Sequence, residues 1–204
     1  MSSNEFKNLK GKLILISGPS GVGKGTVIHM LKDKFPDFVF PISGVTRKMR
    51  KGEKNGVVYE FMSKEEFEKG IEDGIFLEWA LVHGKNYYGT LKKPILDALV
   101  EGKIVIREVD IQGVHSIIDI LPKKNLVTIF LKPKDKDDLI RRIVKRGKLP
   151  ADEIERRMES ASKELEGSNR FDYQVFNLDG MIDDCFNEVV DIIMFEAKKV
   201  GLNI

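Results

Sequence analysis

Short apolar runs alternate along this chain with stretches of helical spacing. Residues 12–17 hold Leu13-Ile-Leu-Ile16, apolar at nearly every position, which is the pattern of a strand buried on both faces of a parallel sheet. Residues 103–109, around Ile104-Val-Ile106, and residues 126–131 have the same character. Helical spacing is expected at about 23–34, ending before Phe35-Pro36, and again at 94–100, 114–121, 135–145 and 152–165. A short strand is expected at 173–176. A final helix at about 180–199 repeats Ile182, Phe186, Val189, Ile193, Met194 and Ala197 on one face. Strands and helices taking turns predict an α/β fold, a parallel sheet core flanked by helices.

The alternation breaks twice. Residues 38–96 read as strands and turns: a strand at 38–43, a basic segment at 45–56 ending in Asn55-Gly56, and a strand at 57–62. Ser63-Lys-Glu-Glu66 is a capping box opening a short helix through Phe67 and Ile71 to Gly74. A strand-like run at 75–82 and a turn at 84–89 follow. Residues 137–168 are helical and rich in arginine. The reading is one domain over 1–204, with a core at about 11–37, 97–136 and 169–204, a strand-rich lobe at about 38–96 and a helical lid at about 137–168. Two such lobes suit closure over a site at the carboxyl ends of the strands; plain surface decoration is the alternative.

Charge narrows the partners. The 204 residues carry 34 Lys and Arg against 32 Asp and Glu, a balance that argues against dedicated nucleic-acid or membrane-surface binding. Cys185 is the single cysteine, which excludes an intramolecular disulfide, and its apolar helical setting points to packing. No apolar run approaches the roughly 20 residues of a membrane span, and Met1-Ser-Ser-Asn-Glu-Phe-Lys lacks the apolar core of a signal peptide. A soluble cytoplasmic protein is expected.

The candidate chemistry starts at Gly18-Pro-Ser-Gly-Val-Gly-Lys24-Gly-Thr26, between the first strand and the first helix. Glycines let backbone N–H groups turn inward, the helix N-terminus adds positive dipole and Lys24 adds a full charge, so the stretch is a phosphate cradle. Gly25 stands where the general pattern has Ser or Thr, and Thr26 comes one position late. Glu108 and Asp110 end the strand around Ile104-Val-Ile106 and share a face. They suit Mg²⁺ beside phosphates, directly or through water, although Asp110 also fits as the N-cap of the next helix. Arg47 and Arg50 in the basic turn suit bidentate capture of one phosphate, against a solvated charge run or a nucleic-acid contact. Glu78 lies between Leu77 and Trp79 in an apolar run, where an unpaired charge is costly. It either pairs with a protein cation or waits for a ligand with donors, and guanine offers N1–H and a 2-amino group. Arg141, Arg142, Arg146, Arg156 and Arg157 crowd the second break, with Glu153, Glu155 and Glu159 as competing surface partners.

These residues resemble the guanylate kinase family over nearly the whole chain. Ile16–Lys24 looks like its P-loop, and Val45–Glu53 with Asn55-Gly56 and Tyr59 like its GMP-phosphate segment. Phe76-Leu-Glu-Trp-Ala80, Asn86-Tyr-Tyr-Gly-Thr90 and Asp110-Ile-Gln-Gly113 complete the set. The resemblance implies Mg²⁺-dependent transfer of the γ-phosphoryl of ATP to GMP by a P-loop nucleoside monophosphate kinase-like fold, in a monomer or weak homodimer. By similarity, Gly18, Ser20, Gly21, Val22, Gly23, Lys24, Gly25, Thr26 and Asn177 would hold ATP. Arg47, Arg50, Tyr59 and Tyr88 would hold the GMP phosphate, and Ser43, Glu78 and Thr90, with Asp110 nearby, would read guanine. In that reading the hydroxyls of Ser43 and Thr90 donate to O6. Lys24, Arg47, Arg142, Arg146 and Arg157 would act on the moving phosphoryl. Glu108 and Asp110 would hold magnesium through water, with Thr26 as a further candidate. Gly25, Glu108 (commonly an aspartate) and Met49 (frequently a proline) depart from the family's pattern. A non-catalytic relative that binds proteins, and a kinase for another nucleoside monophosphate, are the rival readings. The first typically loses residues such as Lys24, Arg47, Arg50 or Glu78; Glu78 bears on the second.

Overall fold

A computed structural model of the chain describes residues 6–57, 59–82, 84–145 and 150–202. β1 (Lys12–Ser17), β6 (Ile104–Glu108), β7 (Leu126–Lys132) and β8 (Tyr173–Phe176) form an all-parallel sheet in the order β6-β1-β7-β8. Side chains of β1 alternate between its two faces. Ile14 and Ile16 pack with Val27 and Leu31 of α1 (Lys24–Lys34) and with Val189 and Ile193 of α7 (Ile182–Lys198). Leu13 and Leu15 pack with Ile95 and Leu99 of α3 (Lys92–Val100) and with Val114 and Ile117 of α4 (Ile111–Ile118). Burying both faces explains why these strands are apolar throughout. Cys185 is buried in the α7 face, and burial pushes its thiol up to about 11.

Two deviations from a wholly apolar core are satisfied locally. Lys12 is paired with Glu196 of α7 at 2.9 Å, both buried. Burial alone would raise the Glu196 carboxyl, but hydrogen bonds from Lys199, Tyr173 and Lys12 bring it down to about 2.

A second sheet sits in the first break of the alternation. β2 (Ser43–Val45), β3 (Tyr59–Phe61), β4 (Phe76–Val82) and β5 (Asn86–Leu91) lie in the order β3-β2-β5-β4. Its rear face is closed by α2 (Lys64–Glu72), whose Ser63/Glu66 capping box is present. There Phe67 stacks on Phe76 at 4.2 Å and on Tyr87 at 5.1 Å, and a Cβ on Gly89 would fall within 2.9 Å of both phenyl rings.

Two sequence expectations are corrected here. Residues 38–43 do not form a strand: only Val39 bridges the core sheet, opposite Val105, and pairing in the second sheet begins at Ser43. Pro41, which has no N–H to donate, lies between the two pairings. Residues 84–89 are not one turn, because from Asn86 onward the chain is β5, paired with both β2 and β4. Its Asn, Gly and paired tyrosines read as a turn by composition, but packing of the rings outweighs that local signal.

In the second break, α5 (Lys136–Lys145) and α6 (Ala151–Glu166) pair through Leu139, Ile143, Met158 and Ala161. A Cβ on Gly21 would meet Ile143 at 3.0 Å, so α5 leans directly on the glycine-rich loop. Among the described residues no helix is long and apolar enough to cross a membrane.

Candidate active site

A cleft of about 1030 Å³ lies between the carboxyl ends of the core strands and the front of the second sheet. β1 is flanked by β6 on one side and β7 on the other, so the loops leaving it diverge from those of its neighbours. That switch point is where parallel sheets bind ligands, and Gly18 begins the loop there. Gly18, Gly21 and Gly23 have φ of 143°, 91° and 105°, in the region that side chains rarely adopt. Gly18, Ser20, Gly21, Gly23, Lys24 and Gly25 line the cleft. The Lys24 ammonium donates to the carbonyls of Gly18 at 2.5 Å and Pro19 at 3.2 Å and lies 3.8 Å from Glu108. Ile16 pairs with Glu108 in register, which brings that carboxylate beside the loop. Gly25 has a helical backbone, and a Cβ there would meet open space.

Val22 is buried beneath the loop, and Asn177 is its brace. The Asn177 amide donates to the Val22 carbonyl at 2.7 Å and fills the space a Cβ on Gly23 would need. Arg142 donates to the Asn177 carbonyl at 2.7 Å and pairs with the buried Asp138 at 2.9 Å. Arg157 is paired with Glu153 at 2.9 Å and is 39% exposed. Neither arginine lines the cleft in this conformation, and Arg146 lies outside the described residues. Thr26 is exposed at the start of α1 and does not line the cleft either.

Across the cleft, sheet register does the placing. Tyr59, Ser43, Thr90 and Glu78 form one row over four strands, and Phe61, Val45, Tyr88 and Ala80 form the next. A bulge at Leu77 sets Glu78 in that row. Phe76 pairs with Leu91 and Glu78 with Thr90, two steps on β4 for one on β5. Unbulged pairing would put Glu78 opposite Gly89 on the rear face. The Glu78 carboxylate accepts from the Thr90 hydroxyl, and its second oxygen would lie 2.8 Å from a Cβ on Gly113. Burial raises Glu78 above the ordinary carboxylate value, with Thr90 and Arg107 opposing and Asp110 adding to the rise. Asp110 is the N-cap of α4 and accepts from the Gly113 N–H at 2.8 Å, so the capping alternative holds for one of its oxygens. The Thr90 proton is committed to Glu78, which departs from the expected donation by Thr90 to a base.

At the other end of the row the basic turn is organised by Glu53. Both oxygens receive the Arg47 fork, at 2.7 and 2.6 Å, and the Arg50 N–H donates at 2.7 Å. These hydrogen bonds bring the Glu53 carboxyl down to about 2 and hold Arg47 above its ordinary value. The Arg47 guanidinium lies over Tyr59 at 4.9 Å, and Tyr59 meets Tyr88 edge-on at 6.3 Å. The Arg50 side chain is exposed and makes no hydrogen bond or ion pair among the described residues.

Two cleft residues were missed by the sequence reasoning. Arg107 reaches Ser43 in the first of these rows from β6, and burial lowers it below its ordinary value. Glu164 of α6 lines the cleft, raised by burial and opposed by Lys24. Gly113, the end of the Asp110-Ile-Gln-Gly113 stretch, does not line the cleft but makes room for Glu78. Arg107 alone carried a signal: a charge flanked by an apolar run, the same signal that singled out Glu78.

A parallel sheet with a glycine-rich loop and helix at its switch point has the fold of the P-loop nucleoside monophosphate kinases. The family model described as guanylate kinase matches residues 10–196. The chain is 45% identical over 170 residues to the guanylate kinase of Campylobacter jejuni, covering 83% of this chain and 81% of that one. It is 40% identical over 200 residues to the guanylate kinase of Clostridium perfringens, covering 98% and 90%. The crystal structure of guanylate kinase from Anaplasma phagocytophilum superposes with a TM-score of 0.71 at 27% identity, over 94% of this chain and 88% of that one. The chain belongs to the guanylate kinase family.

Proposed function

We propose that the protein transfers the γ-phosphoryl group of ATP to GMP, giving ADP and GDP. The observation that carries this is the sharing of one cleft by Lys24, on the phosphate loop, and Glu78, held in the front row of the second sheet. In this reading the loop from Gly18 to Thr26 holds the ATP phosphates by backbone N–H groups and the Lys24 charge. Lys24 leaves the Gly18 and Pro19 carbonyls as the nucleotide arrives. Asn177 serves the ATP side by bracing Val22 and Gly23 from beneath.

Arg50, with Tyr59, Tyr88 and Arg47, takes the GMP phosphate, and Glu53 keeps the turn preformed. Ser43 and Glu78 read the base, with Thr90 fixing one Glu78 oxygen and Asp110 anchoring α4 behind it. A GMP phosphate oxygen attacks the γ-phosphorus. The new P–O bond forms as the bond to the β–γ bridging oxygen breaks, and ADP leaves with that electron pair. No general base is required, because alignment and charge neutralisation lower the barrier. Arg142 and Arg157 approach only when α5 and α6 close, and closure excludes water that would otherwise accept the phosphoryl.

Magnesium fits the donor set. Glu108, 47% exposed beside Lys24, and the second oxygen of Asp110 are hard oxygen donors of the kind the ion accepts while keeping its waters. They would hold it through water, with Thr26 as a further candidate, and the bound ion neutralises charge on the polyphosphate. In a coupled assay with ATP and Mg²⁺, GMP should exceed AMP by about 10⁴-fold in kcat/KM, with CMP and UMP poorer still. Equal rates with AMP would overturn the reading.

A further inference from the structure

The base end of the cleft contains a cation with no role in the scheme above. Arg107 is the penultimate residue of β6, opposite Leu15, and its side chain crosses from the core sheet to the second sheet. Nη1 donates to the Pro41 carbonyl at 3.0 Å, Nη2 to the Ser43 hydroxyl, and Nε to the Thr90 hydroxyl at 3.4 Å. A guanidinium has five N–H groups. One on Nη1 and one on Nη2 therefore remain without an acceptor among the described residues, in a side chain that lines the cleft beside Glu78.

These bonds fix the polarity of the whole row. Thr90 accepts from Arg107 and donates to Glu78, so cation, hydroxyl and carboxylate stand in sequence. Ser43 accepts from Arg107, which leaves its own proton free to donate outward. The wall thus offers acceptors at the Glu78 end and donors at the Arg107–Ser43 end. Guanine has the complementary edge: N1–H and the 2-amino group beside O6 and N7. Adenine is inverted at N1 and at position 6. A guanidinium meeting O6 and N7 with two N–H groups is a common geometry for reading guanine.

We propose that Arg107 is a specificity-determining residue of this site, donating to the 6-oxo and N7 edge of the purine while Glu78 accepts from N1 and the 2-amino group. The inference rests on the GMP reading above and extends it to a residue outside the family motifs. The rival is a clamp that joins the two sheets and never touches the base.

Arg107→Leu, Arg107→Lys and wild type would be assayed with GMP, IMP and AMP, and GMP binding measured by calorimetry without ATP. Arg107→Leu should raise the GMP KM and Kd by about 10- to 100-fold and lower the GMP-to-AMP preference by a similar factor. The ATP KM should stay within about twofold. Arg107→Lys should fall between, since an ammonium restores charge but not the fork, and it decides the matter if the leucine variant does not fold. The GMP-to-IMP ratio should hold, because both bases carry O6 and N7. An unchanged GMP-to-AMP preference in both variants, or a lower kcat with GMP affinity intact, would establish the clamp and overturn the proposal. Wild-type protein that binds GMP but does not phosphorylate it would overturn the transfer reading alone. In that case the calorimetric series still decides Arg107.

Discussion

The two walls of the cleft are built on different principles. In the proposed reading the core wall holds phosphate with backbone: three glycines at positive φ, a helix start and one lysine, all within nine consecutive residues. The opposite wall would read its ligand with side chains from four strands, and the row Tyr59-Ser43-Thr90-Glu78 exists only once those strands are in register. The backbone site is local and chemically general, since any nucleoside triphosphate presents the same phosphates. The side-chain site is distributed and selective, because each member constrains the protons of the next. In that reading, capacity for transfer and choice of acceptor are separable.

The largest test removes the cradle's charge. Lys24→Ala should lower kcat by about 10²–10³-fold or more for every acceptor alike, with the far-UV circular dichroism spectrum unchanged. Retained activity would place transfer elsewhere. A smaller and opposite signature is expected from Gly113→Ala. The added methyl meets the Glu78 carboxylate, so the GMP KM should rise by roughly 10-fold while the ATP KM holds; a matching rise for ATP would mean the walls are coupled through α4. The smallest effect belongs to Gly25→Ser. With open space at Cβ and a helical backbone, it should stabilise the fold by a few tenths of a kcal/mol, the difference in helix propensity. Thermal melting would show it, and a lower melting temperature would mean that the loop requires glycine there.

Much of the core wall was legible in the sequence. The apolar runs around Ile14, Ile106 and Ile129 identified strands buried on both faces, and the loop's spacing marked it as a candidate phosphate cradle. Glu78 was legible as one charge in an apolar run. Thr90 came to it only through the family resemblance, and Arg107 not at all. Asn86–Leu91 reads locally as a turn and becomes a strand only because β2 and β4 flank it and aromatic rings pack behind it. Arg107 stands beside Glu108 at a strand end, and no local pattern places it 64 positions away against Ser43.

Taken alone, the sequence determined the α/β alternation and the glycine-rich loop, and it singled out Lys24, Arg47, Arg50 and Glu78 as candidates for a nucleotide site. Those follow from periodicity and from backbone chemistry that neighbouring residues specify. Only the tertiary structure decided which way Glu78 faces. One extra residue at Leu77 shifts β4 by a half-period, buries Leu77 in the core and turns the carboxylate into the cleft. Side chains on a strand alternate every residue, so a single-residue slip inverts the face, and the slip is held by contacts from outside the strand, with Phe67 stacked on Phe76 behind it and Gly113 leaving room for the Glu78 carboxylate.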